Sequence, residues 1–180
     1  MTQTAMAFAD EIALCSGENV NVCYQCGKCT CGCPVAFNMD LTPTQTMHAV
    51  RLGMKDTVLN SRTIWICASC ETCTTRCPQE LDVAKVMDGA RIIARREKLK
   101  PAVPEVAAFY RASLGSIKYL GRMYELGIVM LLKVLTRAFT QDLKLGIDMM
   151  KKRKLALLPT FRGAGAARRL FNKIAKMEKP

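Results

Sequence analysis

Nine of the chain's ten cysteines fall in two runs, and eight of these nine follow the same spacing. The first run, CYQCGKCTCGCP, occupies residues 23–34, and the second, CASCETCTTRCP, occupies residues 67–78. Each run has three cysteines separated by two residues, then a fourth after a gap of three, followed by proline. These cysteines are Cys23, Cys26, Cys29 and Cys33 in the first run and Cys67, Cys70, Cys73 and Cys77 in the second. Runs this rich in thiols carry little apolar content, so whatever binds the thiols decides the local fold.

The spacing is that of bacterial ferredoxins and predicts a [4Fe–4S] cluster in each loop. Two-residue gaps let one loop wrap a cubane and place three thiolates on three of its irons. The fourth cysteine lies beyond a turn, and the proline after it fixes φ and lacks an N–H group, so the chain leaves the loop there. We therefore expect crossed ligation: Cys23, Cys26, Cys29 and Cys77 hold one cluster, and Cys67, Cys70, Cys73 and Cys33 hold the other.

Two other uses of dense cysteines fit the sequence less well. Structural zinc sites also consume four thiols, but they use paired C-x2-C knuckles. A disulfide scaffold requires a small secreted chain, and no export signal is recognisable. Cys15 and Cys31 are expected to be free thiols. Lys28 and Trp65 flank the runs, either as groups that tune a cluster or as an ordinary surface lysine and core tryptophan.

Helical patterns surround both runs and predict a mostly α fold. Thr42 is the expected N-cap of a helix that begins at Pro43 and stops at Gly53. The segment 80–100 is predicted as a longer helix whose apolar face holds Val83, Val86, Met87, Ala90 and Ile93 or Ala94. Further helices are expected at 3–14, over a short turn near 55–62, within 104–154 and at about 164–177.

The repeat of a cysteine run and a helix at an offset of 44 residues indicates a duplication. We therefore predict a duplicated α-helical ferredoxin-like domain with two [4Fe–4S] clusters at 1–100. A basic helical extension for subunit docking is predicted at 101–180. Residues 1–90 carry six basic and nine acidic residues, whereas residues 91–180 carry 21 basic and six acidic ones. The basic half is suited to an acidic partner, with an ordinary solvated basic face as the alternative.

The sequence argues against several other functions. Nucleic-acid binding is not expected, because aromatic residues make up only 6% of the chain and no recognition motif is present. The longest apolar run, LGIVMLL at 126–132, is too short to span a bilayer. A cytoplasmic protein is therefore expected, with peripheral contact between the basic stretch at 151–154 and an anionic membrane as an alternative.

No residue pattern predicts bond-making chemistry. His48, the chain's one histidine, lies in a predicted helix between apolar residues and is expected to be half-buried. The stretch LALLPTFRGAGAARRLF is only superficially similar to a dinucleotide-binding turn, since Pro159 interrupts the strand and Arg168 replaces the third glycine. We therefore expect no catalytic residues and an electron-carrying role.

The run CYQCGKCTCGCP, and still more the stretch IWICASCETCTTRCPQELDVAKVMDGAR, closely resembles the C subunit of heterodisulfide reductase. The resemblance covers about residues 12–98 in detail. It implies an electron-transfer protein between an A subunit with flavin and iron–sulfur groups and a catalytic B subunit with cysteine-rich CCG motifs. This chain has no adjacent cysteine pair, so the function of the B subunit is not fused to it. The resemblance implies methanogenesis or sulfur metabolism, without fixing the substrate.

Two alternatives to this function stay open from the sequence. One is an iron–sulfur subunit of a related membrane-associated respiratory oxidoreductase. The other is a free ferredoxin-like carrier, which would not need the 80 residues beyond the ferredoxin-like part.

Overall fold

The computed structural model describes residues 3–136, 161 and 163–177, and all regular structure within these ranges is helical. The chain divides into two compact units, Met1–Pro104 and Glu105–Pro180. The predicted division into a domain at 1–100 and an extension at 101–180 stays a prediction about which parts fold on their own. None of the helices in the described ranges has the length and apolar character needed to cross a membrane.

The first unit consists of two long helices and several short ones. The long helices are α1, Gln3–Ser16, and α7, Val83–Arg96. Between them lie α2 (Lys28–Gly32), α3 (Pro43–Arg51), α4 (Lys55–Leu59), α5 (Thr63–Ile66), α6 (Thr72–Thr75) and 3-10 turns at Val20–Val22 and Ala36–Asn38.

The core of this unit lies where α1 contacts α3 and α7. Ile12, Met47 and Met87 are fully buried there. The predicted face of α7 is confirmed, because all six of its apolar residues are buried. Each large apolar side chain removed from water stabilises the fold by roughly 1.5–3 kcal/mol. Gly89 permits the close crossing of α1, since a Cβ on it would come within 3.3 Å of the Ser16 Cβ.

Side-chain caps fix where α3 and α7 begin. Thr42 accepts a hydrogen bond from the Gln45 N–H at 3.4 Å, and the Gln45 side chain accepts one from the Thr42 N–H at 2.9 Å. This capping box confirms the predicted start at Pro43. Asp82 caps α7 by accepting from the Lys85 N–H at 3.1 Å. Both helices therefore start at a defined residue, close after a cysteine run.

The second unit contains α8 (Pro104–Leu120), α9 (Glu125–Thr136) and α10 (Ala164–Met177). The predicted helical region at 104–154 is broken at Gly121, whose φ of +80° ends α8. Its part beyond residue 136 lies outside the described residues, as does the basic stretch at 151–154. The predicted terminal helix at 164–177 is confirmed.

Candidate metal centres

Left-handed residues shape both cysteine loops in the same way. In the first run Gln25 has φ +62° and Gly27 has φ +78°, and in the second run Ser69 has +49° and Glu71 has +58°. The two pairs stand at the same places within the runs, one in each two-residue gap. Left-handed backbone is costly for residues other than glycine and persists where the surroundings enforce it. The repeated strain marks both loops as functional segments of one design.

One cavity brings the two runs together. It is lined by Cys33 of the first run and by Cys67, Cys70 and Cys73 of the second. Its empty volume, counted out to the open mouth, is about 370 Å³. The rest of the wall is mostly apolar: Val35, Met39, Pro43, Ala68, Thr72, Val83, Ala84 and Met87. These four thiols are the set expected for the second cluster.

The thiols of this cavity are poorly suited to remain as a bare group. Burial raises the pKa of Cys73 to about 11, with the neighbouring Cys67 adding to the effect. Burial also raises the pKa of Cys67, against the opposing charge of Arg91. A hydrogen bond with the Thr72 hydroxyl lowers the pKa of the exposed Cys70. Buried thiolates need a cationic partner, and a cubane of iron and sulfide supplies one.

The other expected ligand set is less enclosed. Cys29 lies on α2 and is buried, whereas Cys26 is exposed, and Cys23 and Cys77 are half-buried. Desolvation first, and then the nearby thiols of Cys26 and Cys77, raise the pKa of Tyr24. This side chain therefore lies near thiols of both runs. Helices α2 and α6 are in contact. Parts of both runs thus lie close together at this centre as well.

Threonine hydroxyls tie each loop to the helix that follows it. Thr30 accepts a hydrogen bond from the Thr44 N–H in the first turn of α3 at 3.0 Å, and the Thr44 hydroxyl lies 3.3 Å from the Cys29 Sγ. In the second run Thr74 donates to the α7 cap Asp82 at 2.8 Å. Thr30 and Thr74 occupy equivalent places, so the same tether is used twice.

Two buried N–H donors lie on helices next to the cysteine loops, one on Arg51 of α3 and one on Trp65 of α5. Within the described residues, neither the Arg51 Nε nor the Trp65 Nε1 has a hydrogen-bond partner. Buried donors are satisfied in the great majority of cases. Arg51 also donates from its Nη1 to the Cys23 carbonyl at 2.7 Å, so its side chain lies at the first loop. The sulfur atoms of a bound cluster are acceptors of the required kind.

The donor set therefore fits iron–sulfur clusters, which would supply one-electron redox chemistry when bound. The thiols lie along the wall of the cavity. In the described ranges, no three Cys, His, Asp or Glu side chains group closely enough to bind a single metal ion. The eight cysteines would hold the clusters, the apolar wall would limit water, and the threonine tethers would keep the loops in place.

The other residues singled out from the sequence lie as follows. Cys15 is half-buried and accepts a hydrogen bond from Arg96 at 3.4 Å, while Cys31 is exposed. The expectation for His48 is wrong: its side chain is exposed, because it lies on the outer face of α3 away from buried Met47 and Ala49. Lys28 is exposed, and Trp65 is buried at 5% exposure. Sequence reasoning missed Arg51 and Arg91, which look like ordinary helix-surface cations.

This chain is similar in sequence to known iron–sulfur proteins. Residues 22–82, which contain both runs, match the family described as "4Fe-4S dicluster domain". The chain is 30% identical over 103 residues to the C subunit of H(2):CoB-CoM heterodisulfide,ferredoxin reductase from Methanothermobacter marburgensis, covering 57% of this chain and 56% of that protein. It is 35% identical over 80 residues to the iron-sulfur C 2 subunit of CoB–CoM heterodisulfide reductase from Methanocaldococcus jannaschii, covering 44% and 42%.

A third relative, from Archaeoglobus profundus, is described as similar to the C subunit of heterodisulfide reductase. It is 30% identical over 97 residues, covering 53% of this chain and 52% of that protein. The chain spans about half the length of the curated relatives it matches. Both the sequence similarity and the paired cysteine loops support iron–sulfur binding by this chain. The chain is thus similar to the C subunit of heterodisulfide reductase, and its residues 22–82 match the 4Fe-4S dicluster domain family.

Proposed function

We propose that this chain is the iron–sulfur electron-transfer subunit of a heterodisulfide reductase-type complex. It holds two [4Fe–4S] clusters, one on Cys23, Cys26, Cys29 and Cys77 and one on Cys67, Cys70, Cys73 and Cys33. The observation that carries the proposal is the cavity that joins Cys33 to the three thiols of the other run. Crossed ligation keeps the clusters close together, which suits a chain that passes electrons.

The proposed neighbours are a flavoprotein, the A subunit, and a catalytic protein of the CCG type, the B subunit. The relatives are named as C subunits of reductases for the CoB–CoM heterodisulfide, which supports a stable hetero-oligomer. This chain would then relay electrons between the two and contribute no catalytic residue. A methanogen's heterodisulfide or another sulfur compound would be reduced or oxidised on the partner.

The second unit is proposed as the docking element. Phe109, Leu114, Met130 and Leu131 are all more than two-fifths exposed. Exposed apolar side chains in such number are typical of surfaces that another protein covers. We therefore expect a permanent interface of the larger, more apolar kind.

Helix α10 supports this role, because its apolar and basic residues lie on different parts of its surface. Leu170, Ile174 and Met177 share one side and are exposed. The basic residues Arg169, Lys173 and Lys176 lie along one flank of this apolar side, and the helix has no acidic residue. A groove with an apolar floor and acidic rim on a partner protein would match the apolar side and its basic flank. An anionic membrane surface is the competing occupant.

Metal and ligand analysis tests the cofactor proposal. Anaerobically prepared protein should contain about eight iron atoms and eight sulfides per chain. Cys33→Ser should weaken the same EPR signal as Cys70→Ser, while the matched change Cys31→Ser in the same run should alter neither signal. Two zinc ions with little iron, or a Cys33→Ser effect confined to the signal that Cys26→Ser changes, would refute the assignment.

Co-purification tests the docking proposal. Leu170→Asp and Ile174→Asp in α10 should release the partner proteins while leaving iron content unchanged. Asn172→Asp adds the same charge on the polar side of the helix and should keep them bound. Unchanged partner binding in the first two variants, together with lost binding to vesicles containing anionic lipid, would assign the helix to a membrane instead.

A further inference from the structure

The duplication extends from the cysteine runs into the helices, with a shift in offset. Equivalent cysteines lie 44 residues apart, but the helix caps Thr42 and Asp82 lie 40 apart. The same offset of 40 relates the fully buried Met47 and Met87. It also relates Arg51 of α3 to Arg91 of α7. These two arginines are therefore structural equivalents, although run-based alignment would not pair them.

Both arginines make the same contact. Arg51 donates from Nη1 to the Cys23 carbonyl at 2.7 Å, and Arg91 donates from Nη2 to the Cys67 carbonyl at 2.8 Å. Cys23 and Cys67 are the first cysteines of their runs. Each helix thus holds the start of its own ligand loop with a guanidinium, and that brings a fixed positive charge beside each centre.

The neutralisation of these charges differs between the halves. Arg91 forms an ion pair with Asp88, Nη1 to Oδ1, at 3.0 Å. The position equivalent to Asp88 is occupied by His48, whose side chain is exposed. In the described part of the chain no ion pair involves Arg51. Among the described residues, no carboxylate within ion-pairing distance therefore offsets its charge at the first centre, the one expected on Cys23, Cys26, Cys29 and Cys77.

The charged residues within the loops differ in the same direction. Lys28 in the first run corresponds to the neutral Thr72, and Gly27 corresponds to the acidic Glu71. Arg76 directly precedes Cys77 of the first ligand set, but its side chain lies against Gly32, which directly precedes Cys33 of the second set, so its charge distinguishes neither centre. The first loop therefore has Arg51 and Lys28 with no acid in the run itself, whereas the second loop has Arg91 together with the acids Asp88 and Glu71.

We propose that Arg51 and Arg91 are paired positioning residues for the two ligand loops. We further infer that the cluster on Cys23, Cys26, Cys29 and Cys77 has the higher reduction potential, because the charge of Arg51 is not neutralised. This inference rests on the proposed function. Reduction adds one negative charge, which nearby positive charge stabilises, and most strongly where water is partly excluded.

The consequence is a direction for electron flow within the chain. With both clusters bound, one electron would pass from the donor centre on Cys67, Cys70, Cys73 and Cys33 to the acceptor centre on Cys23, Cys26, Cys29 and Cys77. The donor centre would be oxidised by one electron and the acceptor centre reduced by one electron, and no bond would form or break and no proton would move. The reductant that loads the donor cluster is a reduced partner protein.

An EPR-monitored redox titration of the whole protein tests this order. Cys33→Ser and Cys26→Ser first assign the two signals, and failure there would contradict the proposed function itself. In wild-type protein the signal assigned to Cys26 should appear at the higher potential. Asp88→Asn should raise the lower potential and leave the higher one unmoved. His48→Asp should lower the higher one.

Charge and position are separated by further variants. Arg51→Lys keeps the charge but loses the planar donor, so it should alter the line shape of the first signal more than its potential, whereas Arg51→Gln should lower the potential. Glu125→Gln in α9 removes one acid from the other unit and is the control that should shift neither. His48 is exposed, so His48→Asp gives a readable result even if an arginine variant fails to fold. Reversed potentials in wild-type protein, or no shift with Asp88→Asn and His48→Asp, would overturn the inference.

Discussion

The two units of this protein treat apolar side chains in opposite ways. Most of the large, fully buried residues, such as Ile12, Met47 and Ile93, belong to the first unit. In the second unit Ile128 is the only large apolar side chain among the described residues that is buried, while Met130 and Leu131 beside it are exposed. The first unit is thus organised around its own core and its cysteine loops. The second leaves much of its apolar surface exposed in the described residues, as the proposed docking role requires.

Removal of the metal should produce the largest difference between the two units. The ligand loops between residues 23 and 33 and between 67 and 77 contain few apolar anchors, so their structure depends on the clusters. Hydrogen exchange after chelation should show loss of protection in these loops and in α2, α5 and α6. Helices α8 and α9, which carry no cysteine, should keep theirs. Equal loss in both units would show that they form one cooperative unit and contradict the comparison.

The second unit should still contain one position that matters for its own stability. Ile128 is 5% exposed and Met130 is 63% exposed, two residues apart on α9. Ile128→Ala should lower the free energy of unfolding by about 2–4 kcal/mol, because it leaves a cavity. Met130→Ala should change it by less than about 0.5 kcal/mol yet weaken partner binding. Urea unfolding and co-purification measure the two effects. A large stability loss in Met130→Ala would mean that this surface is part of a core.

Two helical glycines, one in each unit, can be compared: Gly89 lies where α7 crosses α1, and Gly115 lies in α8. Gly89→Val should destabilise by about 2 kcal/mol, because the added carbons would press on Ser16 and Cys15. Among the described residues, no atom beyond the backbone of its own helix lies within 4 Å of the position that a Cβ on Gly115 in α8 would take. Gly115→Ala should therefore stabilise by about 0.5–1 kcal/mol through helix propensity. Thermal unfolding of both variants distinguishes a packed glycine from an unconstrained one, and a stabilised Gly89→Val would show that the crossing is loose.

Sequence reasoning reached the long helices and the ligand pattern because both rest on local regularities. The α7 face, the Thr42 cap and the span of α10 follow from periodicity and capping chemistry. The left-handed Gln25, Ser69 and Glu71 could not be predicted, since none is a glycine. The two arginines were missed because their contacts cross 28 and 24 residues of chain. The change of offset from 44 to 40 hides their equivalence, and it becomes visible only when the helices are aligned by their caps.

Lys55 gives the smallest effect and tests how far surface charges hold the first unit together. Its Nζ lies 2.7 Å from Glu11 of α1 and 2.6 Å from Glu97, which directly follows α7, so α4 is linked to both long helices. These hydrogen bonds, first to Glu11 and then to Glu97, raise the pKa of Lys55. Partly exposed ion pairs contribute little, so Lys55→Met should cost about 1 kcal/mol or less. Lys100→Met, at an exposed lysine, is the control.

The pH dependence of that difference fixes its origin. A lysine whose pKa is higher in the folded state stabilises fully below the unfolded pKa of about 10.4, and the contribution is lost as the pH rises through the folded value. The gap in unfolding free energy between wild type and Lys55→Met should therefore stay constant from about pH 7 to 9 and close above about pH 10.4. A gap that persists there would mean that the lysine acts through the packing of its alkyl stem, which lies near the Phe8 ring with the Nζ 6.0 Å from the ring centroid. In that case the first unit would be held by apolar contacts at its edge as well as in its core, and the contrast with the exposed apolar surface of the second unit would become sharper.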